Sequence, residues 1–222
     1  MQSYIIHFIR HGMTKGNVNG QYVGVLDIPV CEEGIKKLND LKSSFKYPNV
    51  QEIYSSPLIR CIKTAEIIYP NQKCNIIDDL RECDFGDWEG KTPSELNDNP
   101  LYHQWIKRSG EIAPPNGESW TDFYKRICKA FELVVESMMR RKVTETAIFA
   151  HGGVIMTLLA NYGLPKAKIF GWAVDNGCGY SVRITPGIWM RDKVFEVYEK
   201  VPIGSNSKVE GNFKDLLEKF EE

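Results

Sequence analysis

The sequence has no long hydrophobic run. No uninterrupted apolar segment in its 222 residues approaches the roughly 20 residues that a membrane-spanning helix requires. The apolar run over residues 4–9 is too short, and too poor in positive charge upstream, to be a signal peptide. We therefore expect a cytoplasmic protein with no membrane partner.

An excess of charge of one sign is also missing. The chain has 28 Lys and Arg against 29 Asp and Glu, for a formal net charge of −1. A nucleic-acid-binding domain needs surplus cations to neutralise phosphates, so we expect no nucleic-acid partner. Apolar residues make up 42% and charged residues 26% of the chain, and these ordinary globular values exclude disorder and fibrous repeats.

Signatures of metal and nucleotide sites are absent as well. The six cysteines form no C-x-x-C pair, so we expect neither a disulfide framework nor a cysteine metal site, and most should be small buried apolar side chains. The P-loop pattern G-x-x-x-x-G-K-[ST] does not occur, nor does an acidic cluster suited to Mg²⁺. We expect no metal and no cofactor.

The sequence does contain an alternation of strand-like and helix-like segments. Short apolar segments predict strands over residues 4–9, 52–56, 75–80, 146–150, 180–185 and 194–201. Apolar residues at helical spacing predict helices over residues 33–46, from Pro57 onward, from Trp120 to Met138, and over residues 154–162. This pattern predicts an α/β fold, a three-layer α/β/α sandwich with a mostly parallel central sheet.

The length suits one domain with two attached features. We expect a single domain over residues 1–203, with an irregular and partly helical insertion at about residues 87–118. Residues 204–222 are predicted to be a linker and a C-terminal amphipathic helix, which would dock on its own domain or form a homodimer contact. The apolar face of this helix would carry Phe213, Leu216, Leu217 and Phe220. Between the last two strands, Pro186-Gly187 predicts a turn.

Two predicted strands end in a histidine followed by glycine. These turns are Arg10-His11-Gly12 and His151-Gly152-Gly153. Ligands collect beyond the carboxyl ends of the strands of an open parallel sheet, so both histidines should face one crevice. The turn at Gly152 also opens a helix, whose free N–H groups favour an anion.

Arg10 and Arg60 extend this pattern towards phosphate chemistry. Each lies close after a predicted strand, and guanidinium groups bind phosphate oxygens in a bidentate manner. Two arginines, a helix start and two histidines suit a phosphoryl group in transfer. Without a metal, the transfer needs a nucleophile from the protein, and a neutral imidazole can serve.

These segments carry a family resemblance. Residues 10–17, Arg10-His11-Gly12-Met13-Thr14-Lys15-Gly16-Asn17, resemble the R-H-G-x-T-x-x-N signature of the histidine phosphatase superfamily, which has the phosphoglycerate mutase-like fold. Further matching segments follow in order at residues 55–65, 80–90, 116–119 and 150–153. The resemblance covers about residues 4–185.

The resemblance implies a role for each matched residue. His11 would be the nucleophile that forms a phosphohistidine, and Glu82 the general acid and then the base that activates water. The phosphoryl group would be bound by Arg10, Asn17, Arg60, His151 and Gly152, with Arg10 and His151 also taking part in catalysis. On physical grounds, His11 should be neutral, with its second ring nitrogen donating to a backbone carbonyl. Without the resemblance, the choice of acid among Glu82, Asp84, Asp87 and Glu89 stays open.

Departures from the mutase pattern favour the phosphatase side of this superfamily. The segment after Glu82 is Cys83-Asp84-Phe85-Gly86-Asp87-Trp88 and not the R-x-Y-G of mutases. The motifs are most similar to the α-ribazole phosphatase and broad-specificity phosphatase branch. The expectation is a metal-independent, histidine acid phosphatase-type phosphomonoesterase acting on a small phosphorylated metabolite.

Three alternatives remain open at this stage. The first is a cofactor-dependent phosphoglycerate mutase, and the second is a catalytically silent regulatory protein that binds a phospho-ligand. The third is a redox protein in which the basic pocket stabilises a thiolate on Cys61 or Cys83. Trp88 and Trp105 would either line the substrate pocket or pack, and His7 and His103 would be structural or solvent-facing.

Overall fold

The computed structural model describes residues 2–107 and 112–205. Seven strands form one sheet. In chain order they are β1 (Tyr4–Arg10), β2 (Glu52–Ser55), β3 (Cys74–Ile76), β4 (Glu145–Ala150), β5 (Gly163–Leu164), β6 (Gly179–Ile184) and β7 (Phe195–Val201). The helices are α1 (Lys15–Val18), α2 (Glu32–Ser44), α3 (Ile59–Ile68), α4 (Pro100–Lys107), α5 (Trp120–Arg141), α6 (Gly152–Tyr162) and α7 (Pro186–Asp192).

The sheet is mixed, with a parallel half and a partly antiparallel half. Its strand order is β3-β2-β4-β1-β6-β7-β5. The pairs β2–β3, β2–β4, β1–β4 and β5–β7 are parallel, whereas β1–β6 and β6–β7 are antiparallel. The predicted α/β fold with a mostly parallel sheet is confirmed.

Helices cover both faces of the sheet, which gives the three predicted layers. Successive side chains of a strand point to opposite faces, so Phe8 and Ile9 enter different cores. Phe8 packs with residues of α5 and α6, whereas Ile9 packs with residues of α2 and α3. In α5 the predicted stripe is buried from Phe123 onward, but Trp120 is 38% exposed because it lies on the first turn, outside the core.

Two predicted elements differ from the structure. The third strand ends at Ile76, and Asp78–Leu80 forms a 3₁₀ turn instead of continuing the strand. The last two strands are joined by the seven-residue helix α7 and not by a tight Pro-Gly turn. Pro186 occupies the first turn of α7, where its missing N–H costs no hydrogen bond, so the same residue can begin a helix as readily as a turn.

The insertion has the irregular, partly helical character that the sequence predicts. It contains the 3₁₀ turn Gly86–Trp88 and the helix α4. Trp88 is buried against the rings of Tyr102 and Trp105, so both tryptophans pack within the insertion. The predicted C-terminal helix lies outside the described residues. Within the described residues, no helix combines the length and apolar character needed to cross a membrane.

Strand register brings three chain segments to one edge of the sheet. Arg10 at the end of β1 lies opposite Ala150 at the end of β4, and Ser55 at the end of β2 lies opposite Phe149. Because these strands are parallel, the residues that follow them leave the sheet at the same edge. The candidate site is built there.

Candidate active site

His11 and His151 lie side by side although 140 positions separate them. Their ring centroids are 5.2 Å apart, and His11 is only 3% exposed. The backbone N–H of His11 donates to the carbonyl of Ala150, which holds the end of β1 against the end of β4. The structure thus brings the two predicted His-Gly turns together at one edge of the sheet.

The tautomer of His11 follows from one hydrogen bond. Its Nδ1 lies 2.7 Å from the carbonyl oxygen of Gly12, and a carbonyl can only accept, so Nδ1 carries the proton. The Nε2 lone pair is then available for a reaction. Two further bonds fix this turn, because the Gly12 N–H donates to Thr64 Oγ1 at 2.7 Å and Asn176 Nδ2 donates to the His11 carbonyl at 2.9 Å.

His151 is held by the segments that follow β2 and β4. It is the N-cap residue of α6, and its Nε2 lies 2.7 Å from the hydroxyl oxygen of Ser56. The thiol sulfur of Cys61 lies 3.5 Å from the same nitrogen. Next in the chain, a β-carbon on Gly153 would lie 2.5 Å from Glu82 Oε1, so glycine at this position lets the helix start approach the carboxyl group.

Arg10 and Arg60 supply the positive charge of the site. Arg10 Nη1 donates to the Val174 carbonyl at 2.8 Å, and a β-carbon on Gly152 would lie 3.5 Å from Arg10 Nε, which places Arg10 beside the start of α6. Arg60 is fully buried. Its Nη1 and Nη2 donate to loop carbonyls, while its Nε has no hydrogen-bond partner among the described residues. A buried guanidinium with unused donors suits an anionic ligand.

Among the four acids left open by the sequence, only Glu82 contacts the helix start that follows His151. Its Oε2 accepts from the Gly153 N–H at 2.9 Å, and its Oε1 accepts from the Cys83 N–H at 3.1 Å. Asp84 accepts from the Gly86 N–H, and Asp87 faces Asn116. The carboxylate of Glu89 accepts backbone N–H groups of another loop. Of these four acids, Glu82 is therefore the one whose carboxyl group lies at the start of α6, next to His151 in the chain.

A partly buried ion pair holds the Glu82 segment in place. Arg126 makes a bidentate bond to Glu118, with Nε–Oε1 at 2.8 Å and Nη2–Oε2 at 2.6 Å. The same guanidinium donates to the carbonyls of Asp79, Arg81 and Glu82. The motif at residues 116–119 pointed to Glu118 as part of the site region. Nothing in the sequence pointed to Arg126 on α5 as the partner of Glu118.

Burial and the two arginines set the protonation of the site. Burial, followed by the charges of Arg60 and Arg10, holds the pKa of His11 well below 6.5, and burial is also the main cause of the lowered pKa of His151. Burial raises the pKa of Glu82, against the opposing effect of its two backbone hydrogen bonds and the arginines. The site therefore favours neutral imidazoles beside a carboxyl group that keeps its proton to a higher pH than a free glutamate.

The lowered histidine pKa values predict a fall of stability in mild acid. Below about pH 6.5 the unfolded chain takes up protons that the folded His151 refuses, so its contribution to the free energy of unfolding is complete above that pH and is lost as pH falls. The loss is up to about 1.4 kcal/mol per pH unit for one such histidine. His151→Asn should reduce the fall between about pH 6.5 and 5 in urea unfolding curves. The prediction is contradicted if the free energy of unfolding of His151→Asn falls with pH as steeply as that of the wild type. It is also contradicted if His103→Asn, at an exposed position, reduces the fall by the same amount.

Asn17 has a structural task in the folded chain. Its Oδ1 accepts from the N–H and the hydroxyl of Thr14, both at 3.0 Å, and forms a capping box at α1. No hydrogen bond joins Asn17 to His11, Arg60 or the other predicted site groups in the described part of the chain. Only its Nδ2 can serve as the donor that the sequence resemblance implies, so that role stays a prediction.

The thiols do not have the character of a redox site. Four of the six cysteines are buried, as expected for most of them, and all six are free thiols. Burial raises the pKa of Cys61 to about 12, against the lowering effect of Arg60, and burial also raises the pKa of Cys83. The expected stabilisation of a thiolate is therefore wrong, because desolvation outweighs the nearby positive charge.

The remaining histidines are outside the site. His7 is buried, with Nδ1 2.8 Å from Ser181 Oγ and Nε2 3.2 Å from Glu145 Oε1, whereas His103 is exposed. Both fit the structural or solvent-facing role predicted for them. Within residues 2–107 and 112–205, no three His, Cys, Asp or Glu side chains cluster in a way that could hold a metal ion.

The fold and the site define an α/β protein whose sheet edge carries two buried imidazoles beside two guanidiniums and a buried carboxyl group. The sequence profile of the histidine phosphatase superfamily (branch 1) matches residues 6–195. This match covers most of the chain, and the protein belongs to that superfamily.

Known proteins that resemble the chain include both phosphatases and mutases. It is 28% identical over 181 residues to the adenosylcobalamin/alpha-ribazole phosphatase of Escherichia coli, covering 79% of this chain and 88% of that protein. It is 26% identical over 165 residues to a 2,3-bisphosphoglycerate-dependent phosphoglycerate mutase of Rhizobium etli, covering 68% and 76%. The crystal structure of the alpha-ribazole phosphatase from Shigella flexneri superposes with a TM-score of 0.75 at 24% identity, covering 94% of this chain and 100% of that one. This last similarity shows the fold.

Proposed function

We propose that this protein is a metal-independent phosphomonoesterase that hydrolyses a small phosphorylated metabolite through a phosphohistidine on His11. The observation that carries the proposal is the 2.7 Å bond from His11 Nδ1 to the Gly12 carbonyl. It leaves Nε2 unprotonated in a site where burial and two guanidiniums keep the imidazole neutral. A neutral imidazole beside positive charge is what attack on a phosphate dianion requires.

The first step transfers the phosphoryl group to the protein. Nε2 of His11 attacks phosphorus, the P–N bond forms, and the bond to the leaving oxygen breaks. Arg10 and Arg60 neutralise the equatorial oxygens, with His151 as a further donor. Glu82 gives its proton to the leaving oxygen, which departs as an alcohol.

The second step returns His11 to its starting state. Glu82, now a carboxylate, takes a proton from water, whose oxygen attacks phosphorus. The P–N bond breaks, inorganic phosphate leaves, and the lone pair returns to Nε2. Because Glu82 is protonated again and His11 is neutral again, the cycle closes without a redox partner or a second substrate.

Burial of the site limits what can approach the nucleophile. His11 and His151 are almost wholly covered by the protein, which favours a terminal phosphoryl group as the part of the substrate that meets Nε2. The alpha-ribazole phosphatase of Escherichia coli is one relative with phosphatase activity in its name, and this favours hydrolysis over binding without turnover.

Phosphate release in the presence of a chelator tests this function. The purified protein is treated with chelator and assayed on 4-nitrophenyl phosphate and on a panel of phosphosugars, phosphoserine, nucleotides and α-ribazole phosphate. We expect full turnover with chelator and a clear preference within the panel. Loss of turnover on chelation, restored by added metal, would contradict metal independence, and absence of turnover on every monoester would contradict the hydrolase.

A phosphoglycerate mutase is the second candidate, favoured by the similarity to the mutase of Rhizobium etli. The two activities share the phosphohistidine and differ in the acceptor of its phosphoryl group, which is water for a phosphatase and a bound phosphoglycerate for a mutase. Incubation with 3-phosphoglycerate separates them. A mutase would isomerise it without net release of phosphate.

A further inference from the structure

Glu89 lies in the insertion, at the centre of a cluster of backbone N–H groups. Its Oε1 accepts from Val25 at 2.9 Å and from Phe85 at 3.0 Å, and its Oε2 accepts from Gly24 at 3.0 Å and from Leu26 at 3.3 Å. A carboxylate that accepts from consecutive amides makes charge-assisted bonds and fixes their direction. Glu89 therefore sets the conformation of residues 24–26, which we call the Glu89 loop.

The other side of the Glu89 loop faces Arg60. Its carbonyls at Gly24 and Leu26 accept from Arg60 Nη2 at 2.6 Å and from Nη1 at 2.8 Å. Thus the N–H groups of the loop bind Glu89, and its carbonyls bind the guanidinium. A single carboxylate is connected to Arg60 through one layer of peptide groups.

We propose that Glu89 is a positioning residue, which aims the guanidinium of Arg60 at the phosphoryl group by holding the Glu89 loop. The inference rests on the proposed function, because it needs Arg60 to bind a phosphate. The proposal gives the two carboxyl groups different roles. Glu82 faces the reacting atoms, whereas Glu89 orients Arg60.

The packing around the Glu89 loop leaves it little freedom once Glu89 is bound. A β-carbon on Gly24 would lie 1.9 Å from the Cys83 carbonyl oxygen, so the loop lies directly on the segment that carries Glu82. At its other end, Asp27 Oδ1 accepts from the Ile59 N–H at 2.7 Å, which ties the loop to the first turn of α3. Arg60 is on that turn, so the same loop holds both its backbone and its guanidinium.

Glu89→Gln is the sharpest test of this role. The side chain keeps its size, but its NH₂ group replaces an acceptor and would face the N–H groups of the loop. We expect phosphate affinity, measured by calorimetry, to fall about tenfold, the lower end of the loss seen when a residue that orients a metal ligand is replaced. The kcat/KM for 4-nitrophenyl phosphate should fall at least as much.

The matched control is Glu95→Gln. Glu95 is also a carboxylate of the insertion that accepts a backbone N–H, from Thr92 at 2.8 Å, and it is exposed and makes no bond to the Glu89 loop. This control removes the same charge but leaves the Glu89 loop in place. It should therefore leave phosphate affinity unchanged. An equal loss in both variants would show a general charge effect and overturn the positioning role.

A double-mutant cycle separates positioning from general support of the fold. If Glu89 acts through Arg60, then Glu89→Gln should cost less than about twofold in an Arg60→Met background, whereas independent sites give additive losses. Additive losses would overturn the inference. If Glu89→Gln does not fold, Glu89→Asp serves in the same cycle, because it retains the charge but shortens the reach by one methylene, and we expect a smaller loss that again disappears with Arg60→Met.

Failure of this inference can be told from failure of the proposed function. Unaltered phosphate affinity in Glu89→Gln, with a wild-type protein that binds phosphate and turns over, overturns the role of Glu89 alone. A wild-type protein that neither binds phosphate nor hydrolyses a monoester overturns the function, and the role of Glu89 with it.

Discussion

Replacement of His11 by alanine is expected to reduce phosphatase turnover by roughly 10⁴-fold or more, because it removes the atom that accepts the phosphoryl group in the proposed mechanism. Nε2 of His11 is the unprotonated nitrogen at the centre of the site, and no second imidazole can replace it without moving. His151 is 5.2 Å away between ring centroids, and its own Nε2 faces Ser56. The measurement is kcat on 4-nitrophenyl phosphate with chelator present.

The variant His103→Ala is the control, because His103 is an exposed histidine on α4. It should turn over as the wild type does. His11→Ala should remain folded, since a buried imidazole is replaced by a smaller apolar side chain, and circular dichroism checks this. A folded His11→Ala protein with wild-type turnover would end the assignment of the nucleophile.

Replacement of Glu82 by glutamine is the second change with a large expected effect, and its size should depend on the leaving group. Glutamine can still accept from the Gly153 N–H through its carbonyl oxygen, but it has no proton to give to an alkoxide. For an alkyl phosphate, the loss in kcat/KM should be about 10²–10⁴-fold, the usual contribution of general acid catalysis. For 4-nitrophenyl phosphate, the loss should be much smaller, because nitrophenolate leaves without a proton.

Asp87→Asn is the matched control for Glu82→Gln. Asp87 lies in the same segment as Glu82, and its carboxylate contacts Asn116 at the surface. It should lose little on either substrate. Equal losses of Glu82→Gln on alkyl and aryl phosphates would contradict the role of general acid, as would a comparable loss in Asp87→Asn.

The convergence of the site could be predicted from the sequence because it depends on strand order alone. Arg10 ends one strand and His11 and His151 directly follow strands, and parallel strands end at a common edge, so their meeting needs no knowledge of side-chain direction. Arg60 follows by the same argument, since it lies on the first turn of the helix after β2. Fold class was predictable for the same reason.

The residues that support the site could not be predicted in this way. Arg126 reaches the Glu82 segment from the middle of the sequence, and its surroundings in the chain are those of any helix surface. Glu89 was one of four acids in a short stretch, and only the direction of its side chain distinguishes it from Glu82. Side-chain direction in an irregular loop depends on packing partners that are distant in the sequence.

The predictions for the thiols and the short elements failed for a different reason, which is a competition between two opposing effects. At Cys61, positive charge lowers the pKa and burial raises it, and the sequence shows the arginine but not the depth of burial. At Pro186, one residue type suits both a turn and a helix start, and the apolar contact of Trp189 with the core favours the helix. Only the packed structure decides such cases.

The most direct test of the phosphohistidine is to trap it in the Glu82→Gln protein with radiolabelled 4-nitrophenyl phosphate. The first step should still proceed with this leaving group, whereas the second needs Glu82 to activate water, so the intermediate should accumulate. We predict acid-labile label, close to stoichiometric with protein, on the peptide that contains His11 and absent when His11 is also replaced by alanine. Label on His151, Cys61 or Cys83, or an unchanged yield in the His11→Ala background, would contradict the account.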